Sequence, residues 1–317
     1  MAVVAVPEIR TRPQVGQGLL DLVGNTPLIP LARIGRDLPA GVSLFAKAEW
    51  FNPGGSVKDR PAANILRTAI AAGWLGKGKQ LLDSTSGNMG ISYATLGASL
   101  GIAVTLALPA NASPERVKIL RSLGAELILT DPGEGSDGAQ REARRLALER
   151  PDRYYYANQY DNPANWQAHY LTTGPEIVQQ TAGQVTHFVA GLGTTGTMMG
   201  AGRYLHAYNP QICRIAVQPD GPFHGLEGLK HLESSIRPGI YDAGAFEETA
   251  LVETERAYDF VLRLAREEGL FVGISAGAAA AVAVEIAGQL RQGMVVVIFP
   301  DAGYKYLSER FWEGKPI

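Results

Sequence analysis

The chain has 317 residues, of which 46% are hydrophobic and 19% are charged, and its formal net charge is -2. This length allows two domains with cores of their own, and the lack of a basic surplus argues against nucleic acid as a partner. The single cysteine, Cys213, excludes an intrachain disulfide; it falls in the strand-like segment 212–217, where we expect a core thiol.

The chain contains no apolar run of the roughly 20 residues that a membrane span needs. The first 13 residues have an apolar start followed by charges, which is too short and wrongly ordered for a signal peptide. We therefore predict a cytoplasmic protein that does not contact a membrane.

Strand-like and helix-like segments alternate along the first half of the chain. Short apolar runs predict strands at 43–49, 81–83, 103–109 and 125–130. Helical spacing, with Pro114 at a helix start, predicts helices at 61–75, 90–100, 114–123 and 137–149.

The second half repeats the scheme. Predicted strands lie at 187–190, 214–218 and 295–299. Predicted helices lie at 166–180, 255–268, 275–292 and 304–312, and a further helix runs from a glycine-rich turn to about residue 208. Alternating units of this kind predict parallel sheets covered by helices, with ligands at the carboxyl ends of the strands.

The segment 52–61 joins a predicted strand to a predicted helix. Ser56 and Asp59 have the spacing of a capping box, which would put Lys58 in the first helical turn. The helix dipole is positive there, so the site is unfavourable for a cation. Lys58 is either a solvated lysine at a loop edge or a lysine of depressed pKa that attacks an aldehyde to form an imine.

A glycine-rich turn at 191–197 follows a strand and opens a helix. Its free N–H groups and three threonine hydroxyls suit a phosphate, although a purely structural turn is an alternative. The spacing also matches the dinucleotide fingerprint, with Asp220 as a ribose-binding acid. The position in mid-chain and the hydroxyls of Thr194 and Thr195 weaken that rival interpretation.

Two further turns open predicted helices. Segment 84–90 is rich in hydroxyl and N–H donors and suits a substrate carboxylate, or it supplies an ordinary N-cap. Ser275 is either a cap or a hydrogen-bonding partner for a cofactor's ring nitrogen.

Taken together, these segments resemble the cysteine synthase family of fold-type II pyridoxal 5'-phosphate (PLP) enzymes, and most of all its B-type and O-phosphoserine-using members. The similarity covers nearly the whole chain in the family's order: GNTPL at 24–28, GSVKDR at 55–60, TSGN at 85–88, NQYDNPAN at 158–165, GTTGT at 193–197, Ser275, and DAGYKYL at 301–307. The ordered set favours a PLP phosphate over a dinucleotide at the glycine-rich turn.

The resemblance implies a role for each candidate residue and no metal site. Lys58 would hold PLP as a Schiff base and then act as base and acid. Asn88 would bond the ring hydroxyl, and Ser275 would face the pyridine nitrogen, where a neutral partner suits β-elimination. The phosphate would be cradled by Gly193, Thr194, Thr195, Gly196 and Thr197. The substrate carboxylate would be held by Thr85, Ser86, Asn88, Met89 and Gln159.

The implied activity is cysteine synthesis, a β-replacement on O-acetyl-L-serine or O-phospho-L-serine with a sulfide donor. Two departures leave the substrates open. Met89 stands where the family usually has threonine. Related enzymes carry an arginine in the segment that corresponds to 228–232, where this chain has Lys230 and His231, so that a cation is kept and the planar guanidinium fork is lost. Lys230 is expected to bind a phosphate or acetyl leaving group, or else it is a solvated lysine. An amine nucleophile, as in 2,3-diaminopropionate-precursor synthases, and a cystathionine β-synthase-like reaction are the alternatives.

The implied fold has two α/β domains, tryptophan synthase β-like, with PLP in the cleft. The smaller substrate-loop domain would span 51–161, and the larger PLP-phosphate-binding domain would combine 1–50 with 162–317. Loop 110–114 and its helix could close over the substrate. Family analogy implies a homodimer that takes an amino-acid substrate and a sulfur donor, either a small molecule or a sulfur-carrier protein. A nicotinamide-dependent oxidoreductase and a catalytically silent binding partner are the rival classes.

Overall fold

The structure, a computed structural model, describes residues 18–76, 78–85 and 87–313. The strands within these ranges are β1 (Leu28–Pro30), β2 (Gly41–Ala48), β3 (Gln80–Ser84), β4 (Val104–Pro109), β5 (Glu126–Thr130), β6 (Tyr154–Tyr156), β7 (His187–Gly191), β8 (Cys213–Pro219), β9 (Glu248–Val252) and β10 (Gln292–Phe299). The α-helices are α1 (Asp59–Ala71), α2 (Asn88–Leu100), α3 (Pro114–Ser122), α4 (Gly135–Glu149), α5 (Pro163–Leu171), α6 (Thr173–Gln180), α7 (Arg203–Tyr208), α8 (Thr254–Arg263) and α9 (Ile274–Gln289).

The strands form two sheets. The larger has the order β1-β2-β10-β7-β8-β9, in which β1 is antiparallel to β2 and the other pairs are parallel. The smaller has the order β5-β4-β3-β6 and is parallel throughout. The predicted α/β class with parallel-rich sheets is confirmed, whereas β1, β6 and β9 were not predicted.

Strand β10 shows why the larger sheet is covered on both faces. Val295, Val297 and Phe299 pack in one apolar cluster with α8 and α9, and Val296 and Ile298 pack in another on the opposite face. Successive side chains of a strand point to opposite faces, so a continuous apolar run is required here. Cys213, at the start of β8, is only partly buried and packs against the first cluster.

All four strands of the smaller sheet lie between residues 80 and 156. They fall within the segment 51–161 assigned to the smaller domain, although the domain boundaries themselves stay a prediction. Among the described residues, no helix combines the length and the apolar character that a bilayer crossing demands.

Three local predictions are wrong. The helix predicted at 166–180 is broken at Thr172, because Pro175 cannot donate to the preceding turn and is tolerated only at the start of a new helix. The closing helix at 304–312 is replaced by two 3₁₀ turns, in part because the Tyr306 carbonyl accepts a bond from the Trp312 indole at 2.7 Å. By contrast, the helix predicted after the glycine-rich turn is present and ends at Tyr208, although it starts as a π-helical turn, Met198–Gly202, before α7.

The capping box at Ser56 is the third error. Lys58 is the N-cap of α1, and the Ser56 hydroxyl accepts from its backbone N–H at 3.3 Å. The Asp59 carboxylate is turned into the protein, where it accepts bonds from the Gly54 N–H and the Ser92 hydroxyl. The Asp59 carboxylate therefore holds the loop before Lys58 against α2.

Candidate active site

Loops at the carboxyl ends of β3 and β7 bring residues of both sheets into one cavity. Its walls include the predicted residues Lys58, Thr85, Asn88, Met89, Gln159, Gly193, Thr194 and Lys230. They also include Gly87, Arg116, Ser136, Tyr160, Glu227, Gly228, Leu229 and Tyr306, to which the sequence analysis gave no role. Residues that lie more than 170 positions apart in the chain thus meet at one site, as the strand-end rule requires.

Four predicted residues do not line this cavity. Thr195, Gly196 and Thr197 continue the glycine-rich loop beyond it. Ser275 is 5% exposed at the second position of α9, and a methyl group added to Gly228 would lie 3.7 Å from its hydroxyl. Ser275 therefore lies directly behind a wall of the cavity. Ser86 lies outside the described residues.

Lys58 occupies an environment that favours its neutral amine. Burial lowers the pKa of the Lys58 ammonium, the carboxylate of Asp301 opposes this effect, and the charge of Lys305 adds to it. A neutral amine is the nucleophilic form, so the direction of the shift suits attack on a carbonyl carbon.

The glycine-rich loop contains a buried hydroxyl to which the described part of the chain offers no hydrogen bond. Thr195 is 2% exposed, has φ of 70°, and its Oγ1 has no hydrogen-bonding partner among the residues that the structure describes. A non-glycine residue in this backbone region is uncommon, and a buried polar atom without a partner is costly. Both features fit a loop shaped for a polar ligand such as a phosphate.

Neighbouring side chains hold the other two threonines of the loop. The Thr194 hydroxyl accepts from Asn165 Nδ2 at 3.1 Å, and the Thr197 hydroxyl lies 3.4 Å from His169 Nε2. Burial lowers the pKa of His169, as do the charges of Arg60 and Lys58, so the ring stays neutral. His169 carried no sequence signal because it lies inside a predicted helix, as most structural histidines do.

The loop after β3 is built around the Thr85 hydroxyl. Its oxygen accepts from the N–H groups of Gly87 and Gly90 at 3.0 Å each, which leaves the hydroxyl proton free to donate. Asn88 and Met89 open α2, and the first N–H groups of a helix have no partner within it. The loop therefore combines hydroxyl and N–H donors, as an anionic substrate group requires.

Two members of the predicted carboxylate site have defined neighbours. Gln159 Nε2 donates to the Ser84 carbonyl, and the Gln159 N–H donates to Asp83 at 3.2 Å. Met89 is 2% exposed and belongs to the apolar cluster of the smaller sheet. Its side chain contributes an apolar wall, so Met89 can offer an anion only its backbone N–H.

Lys230 crosses the cavity from the larger sheet toward α4. Its N–H donates to the Leu192 carbonyl at 2.8 Å, and its Nζ lies 3.3 Å from the Ser136 hydroxyl and 3.4 Å from an Asp137 oxygen. It also lies 5.1 Å from the centre of the Tyr160 ring. With 7% exposure, Lys230 is not the solvated lysine of the plain alternative.

Arg116 is a buried cation of the cavity that the sequence analysis missed. It is 2% exposed, forms an ion pair with Glu227, and lies 5.0 Å from the centre of the Tyr306 ring. It belongs to α3, the helix after the loop that was expected to close over the substrate. That expectation was the one available signal, because an arginine in a helix is otherwise unremarkable.

Known enzymes are similar to this chain in sequence and in structure. A family model described as "Pyridoxal-phosphate dependent enzyme" matches residues 19–301. The chain is 51% identical to a cysteine synthase of Aquifex aeolicus (strain VF5) over 302 residues, which cover 94% of this chain and 92% of the relative. It is 40% identical to cysteine synthase B of Pseudomonas aeruginosa over 300 residues, with 94% and 98% covered. The crystal structure of a cysteine synthase from Entamoeba histolytica has a TM-score of 0.91 at 32% identity, covering 99% of this chain and 95% of that one.

Proposed function

The chain belongs to the pyridoxal-phosphate dependent enzymes and, within them, to the cysteine synthase family, and from this premise we propose that Lys58 carries the cofactor. The fold is that of fold-type II PLP enzymes, and the activity is PLP-dependent synthesis of L-cysteine by β-replacement.

The residues present fit PLP. The unpaired Thr195 hydroxyl and the loop residues Gly193, Thr194, Gly196 and Thr197 would hold its phosphate, Asn88 its ring hydroxyl, and Ser275 its ring nitrogen. When bound, PLP supplies an electron sink that lets the α-carbon of an amino acid lose its proton. The hydroxyl of Ser275 is neutral, which moderates that sink and suits a leaving group on the β-carbon.

Lys58 would move the proton. Burial lowers the pKa of its ammonium and so favours the neutral amine, which would take the α-proton of the substrate while the leaving group departs from the β-carbon. The ammonium formed would return the proton after the sulfur nucleophile has added. The neighbouring charge of Lys305 favours that return, whereas Asp301 stabilises the ammonium.

The donors at the start of α2 would hold the substrate carboxylate. Thr85, Ser86 and Asn88 supply side-chain donors, Met89 its N–H, and Gln159 the second hydrogen of its amide. Holding the carboxylate at the helix start orients the α-carbon and the β-carbon relative to Lys58.

Lys230 would face the leaving group. Its ammonium forms an ion pair with the Asp137 carboxylate at 3.4 Å, which balances its charge before the substrate binds. The same ammonium can stabilise departing acetate or phosphate. We assign both O-acetyl-L-serine and O-phospho-L-serine to this site as substrates, with inorganic sulfide as the sulfur donor. Thiosulfate, a sulfur-carrier protein and an amine are the alternative donors to be tested.

The observation that carries the proposal is the meeting of Lys58, Asn88, Thr85 and Thr194 in one cavity whose lysine has a lowered pKa. To test it, purified protein is incubated with PLP and freed of excess cofactor. A visible absorbance band is expected, followed by L-cysteine formation when either serine ester and sulfide are added. Thiosulfate and glutamate are added in parallel as nucleophiles. Protein that stays colourless, or that forms no L-cysteine from either ester, would refute the proposal.

By analogy with its family, we also propose that the enzyme works as a homodimer in the cytoplasm. Its substrates are small molecules, and no nucleic acid takes part. Sedimentation of the holoenzyme over a range of protein concentrations tests the dimer: a single species of about 34 kDa, the mass of one chain (33.9 kDa), would contradict it.

A further inference from the structure

Lys305 links two loops of the active site, and both lie more than 200 positions away from it in the chain. Its Nζ donates to Asn88 Oδ1 at 2.8 Å, to the Gly55 carbonyl at 3.1 Å and to the Gly54 carbonyl at 3.3 Å. The carbonyls belong to the loop that carries Lys58. An ammonium has three hydrogens, so three oxygen acceptors match its donors in number.

Lys305 is also buried, with 9% exposure. Burial lowers the pKa of its ammonium, whereas the carboxylates of Asp301 and Asp59 raise it. A buried ammonium without acceptors would be strongly unfavourable, and here each hydrogen has an acceptor. The charged form therefore has a specific structural use at this position.

Asp301 holds the other side of the Asn88 amide. Its Oδ2 accepts from Asn88 Nδ2 at 2.6 Å and from the Tyr306 hydroxyl at 2.7 Å. The backbone of Asp301 forms a bridge with Ser56, two residues before Lys58, and accepts from the Gly273 N–H ahead of α9. Asp301 is fully buried, so these partners fix its position.

The two charges permit only one orientation of the Asn88 amide. A lysine ammonium only donates, so it must meet the amide oxygen; a carboxylate only accepts, so it must meet the amide nitrogen. A reversed amide would put oxygen against oxygen and N–H against N–H. The amide nitrogen has two hydrogens and Asp301 takes one, so Asn88 keeps one N–H for the cavity that it lines.

We propose that Lys305 and Asp301 are positioning residues that set the Asn88 amide so that an N–H, and not the carbonyl oxygen, faces the ring oxygen of the bound cofactor. The inference rests on the proposed PLP site. The Gly54 and Gly55 carbonyls hold the Lys305 ammonium in place against Asn88. Neither residue acts on the substrate directly.

The test follows cofactor retention in the holoenzyme, a readout that does not depend on turnover. The variants are Lys305→Met, which keeps the length and removes the donors, and Asn88→Ala, with the exposed Lys118→Met as the matched control. Each holoenzyme is diluted into buffer with a trap for free PLP, and the loss of its visible band is timed. We expect about tenfold faster loss for Lys305→Met and for Asn88→Ala, the typical effect of one hydrogen bond to a charged group, and an unchanged rate for Lys118→Met.

The double variant decides whether Lys305 acts through Asn88. If it does, Lys305→Met combined with Asn88→Ala loses the cofactor no more than about threefold faster than Asn88→Ala alone, since coupled sites are not additive. If the double variant instead loses its cofactor about a hundredfold faster than wild type, which is the product of the two single effects, the inference is overturned. A Lys305→Met holoenzyme that retains its cofactor as wild type does would overturn it as well.

Two further measurements separate positioning from a general loss of structure. The pH midpoint of the visible band should shift in the same direction in Lys305→Met and in Asn88→Ala. In Lys305→Arg, which keeps the charge and the donors, the midpoint should return most of the way to the wild-type value. Where Lys305→Met does not fold, Asp301→Leu, which removes the acceptor of the Asn88 amide, replaces it in the same double-variant comparison. Absence of a visible band in the wild type would contradict the PLP site itself, which distinguishes the two failures.

Discussion

The guanidinium of Arg60 donates to both carboxylate oxygens of Glu176 at 2.7 Å each, although the two residues lie 116 positions apart in the chain. Arg60 also pairs with Glu49, and Lys47 pairs with Glu176, so two cations and two carboxylates are buried together. Arg60 follows Lys58 by two residues. The network therefore ties the start of α1 to α6 and fixes the backbone that presents Lys58.

Replacing Arg60 should destabilise the fold strongly. In Arg60→Met, two buried carboxylates lose a partner, and breaking a buried ion pair in this way costs about 3–5 kcal/mol. Urea unfolding of the PLP-bound protein measures the effect. Arg67→Met, on the same helix, removes an ion pair with Asp21 that is about half exposed, and should cost less than about 1 kcal/mol. Equal effects of the two substitutions would contradict a special role for the buried network.

Replacing Lys58 should separate activity from stability. Lys58→Met removes a partly buried amine and keeps its apolar stem, so we expect an unfolding free energy within about 1 kcal/mol of wild type. L-cysteine formation should fall by at least about 10²–10⁴-fold, the usual contribution of a general acid–base group, and the visible band should be lost. Lys118→Met serves as the control for both assays. A Lys58→Met enzyme with substantial turnover would assign the proton transfer to another residue.

The unpaired hydroxyl of Thr195 predicts opposite effects on the fold and on cofactor binding. Thr195→Val keeps the shape and removes a buried polar atom that costs about 1–3 kcal/mol when it has no partner. The PLP-free protein should therefore be more stable than wild type in urea, while the holoenzyme loses its cofactor faster. If both properties fall together, the hydroxyl is not reserved for a ligand.

Lys230 should matter more for a phosphate than for an acetate leaving group. A phosphate carries more charge, so loss of the Lys230 ammonium should lower kcat/KM for O-phospho-L-serine about tenfold or more. The value for O-acetyl-L-serine should fall less. Steady-state rates of Lys230→Ala with each ester, compared with Lys118→Ala, measure the difference. Equal turnover of O-phospho-L-serine by Lys230→Ala and wild type would eliminate the phosphate role.

Asp83 makes the stability of the fold depend on pH. Burial raises the pKa of its carboxyl to about 7, although hydrogen bonds from the Ser84 N–H, Tyr93 and the Gln159 N–H act in the opposite direction. The pKa of this carboxyl in the unfolded chain is 3.8. Between these values the folded state holds a proton that the unfolded chain releases. The contribution of Asp83 to stability therefore falls as the pH rises from about 4 to about 7, by up to about 1.4 kcal/mol per pH unit.

The Asp83→Asn variant isolates this effect. It cannot titrate, so its unfolding free energy should fall less steeply than that of wild type between pH 4.5 and 7, a window of roughly 2.5 units inside the two pKa values. Urea unfolding at several pH values within the window measures both slopes, and other titrating groups contribute alike to both proteins. Parallel curves would show that Asp83 does not take up a proton on folding in this range.

Local patterns in the sequence were enough for much of the fold. Apolar runs such as Val295–Phe299 and the turns around Lys58, Asn88 and Gly193 predict parallel strands, helix starts and donor-rich loops from neighbouring residues alone. The resemblance of the ordered motifs then named candidates, most of which meet in one cavity.

The tertiary structure decided which distant residues complete these loops. Lys305 lies 217 positions from Asn88, and Arg116 meets Glu227 only because α3 and the loop after β8 lie beside the same cavity. The spacing of neighbouring residues in the sequence cannot predict such pairs, since they depend on which strand ends are neighbours in space. The missing closing helix has a more local cause. The Tyr306 hydroxyl donates to Asp301 and the Tyr306 carbonyl accepts from the Trp312 indole, and these side-chain bonds compete with the backbone hydrogen bonds of a helix.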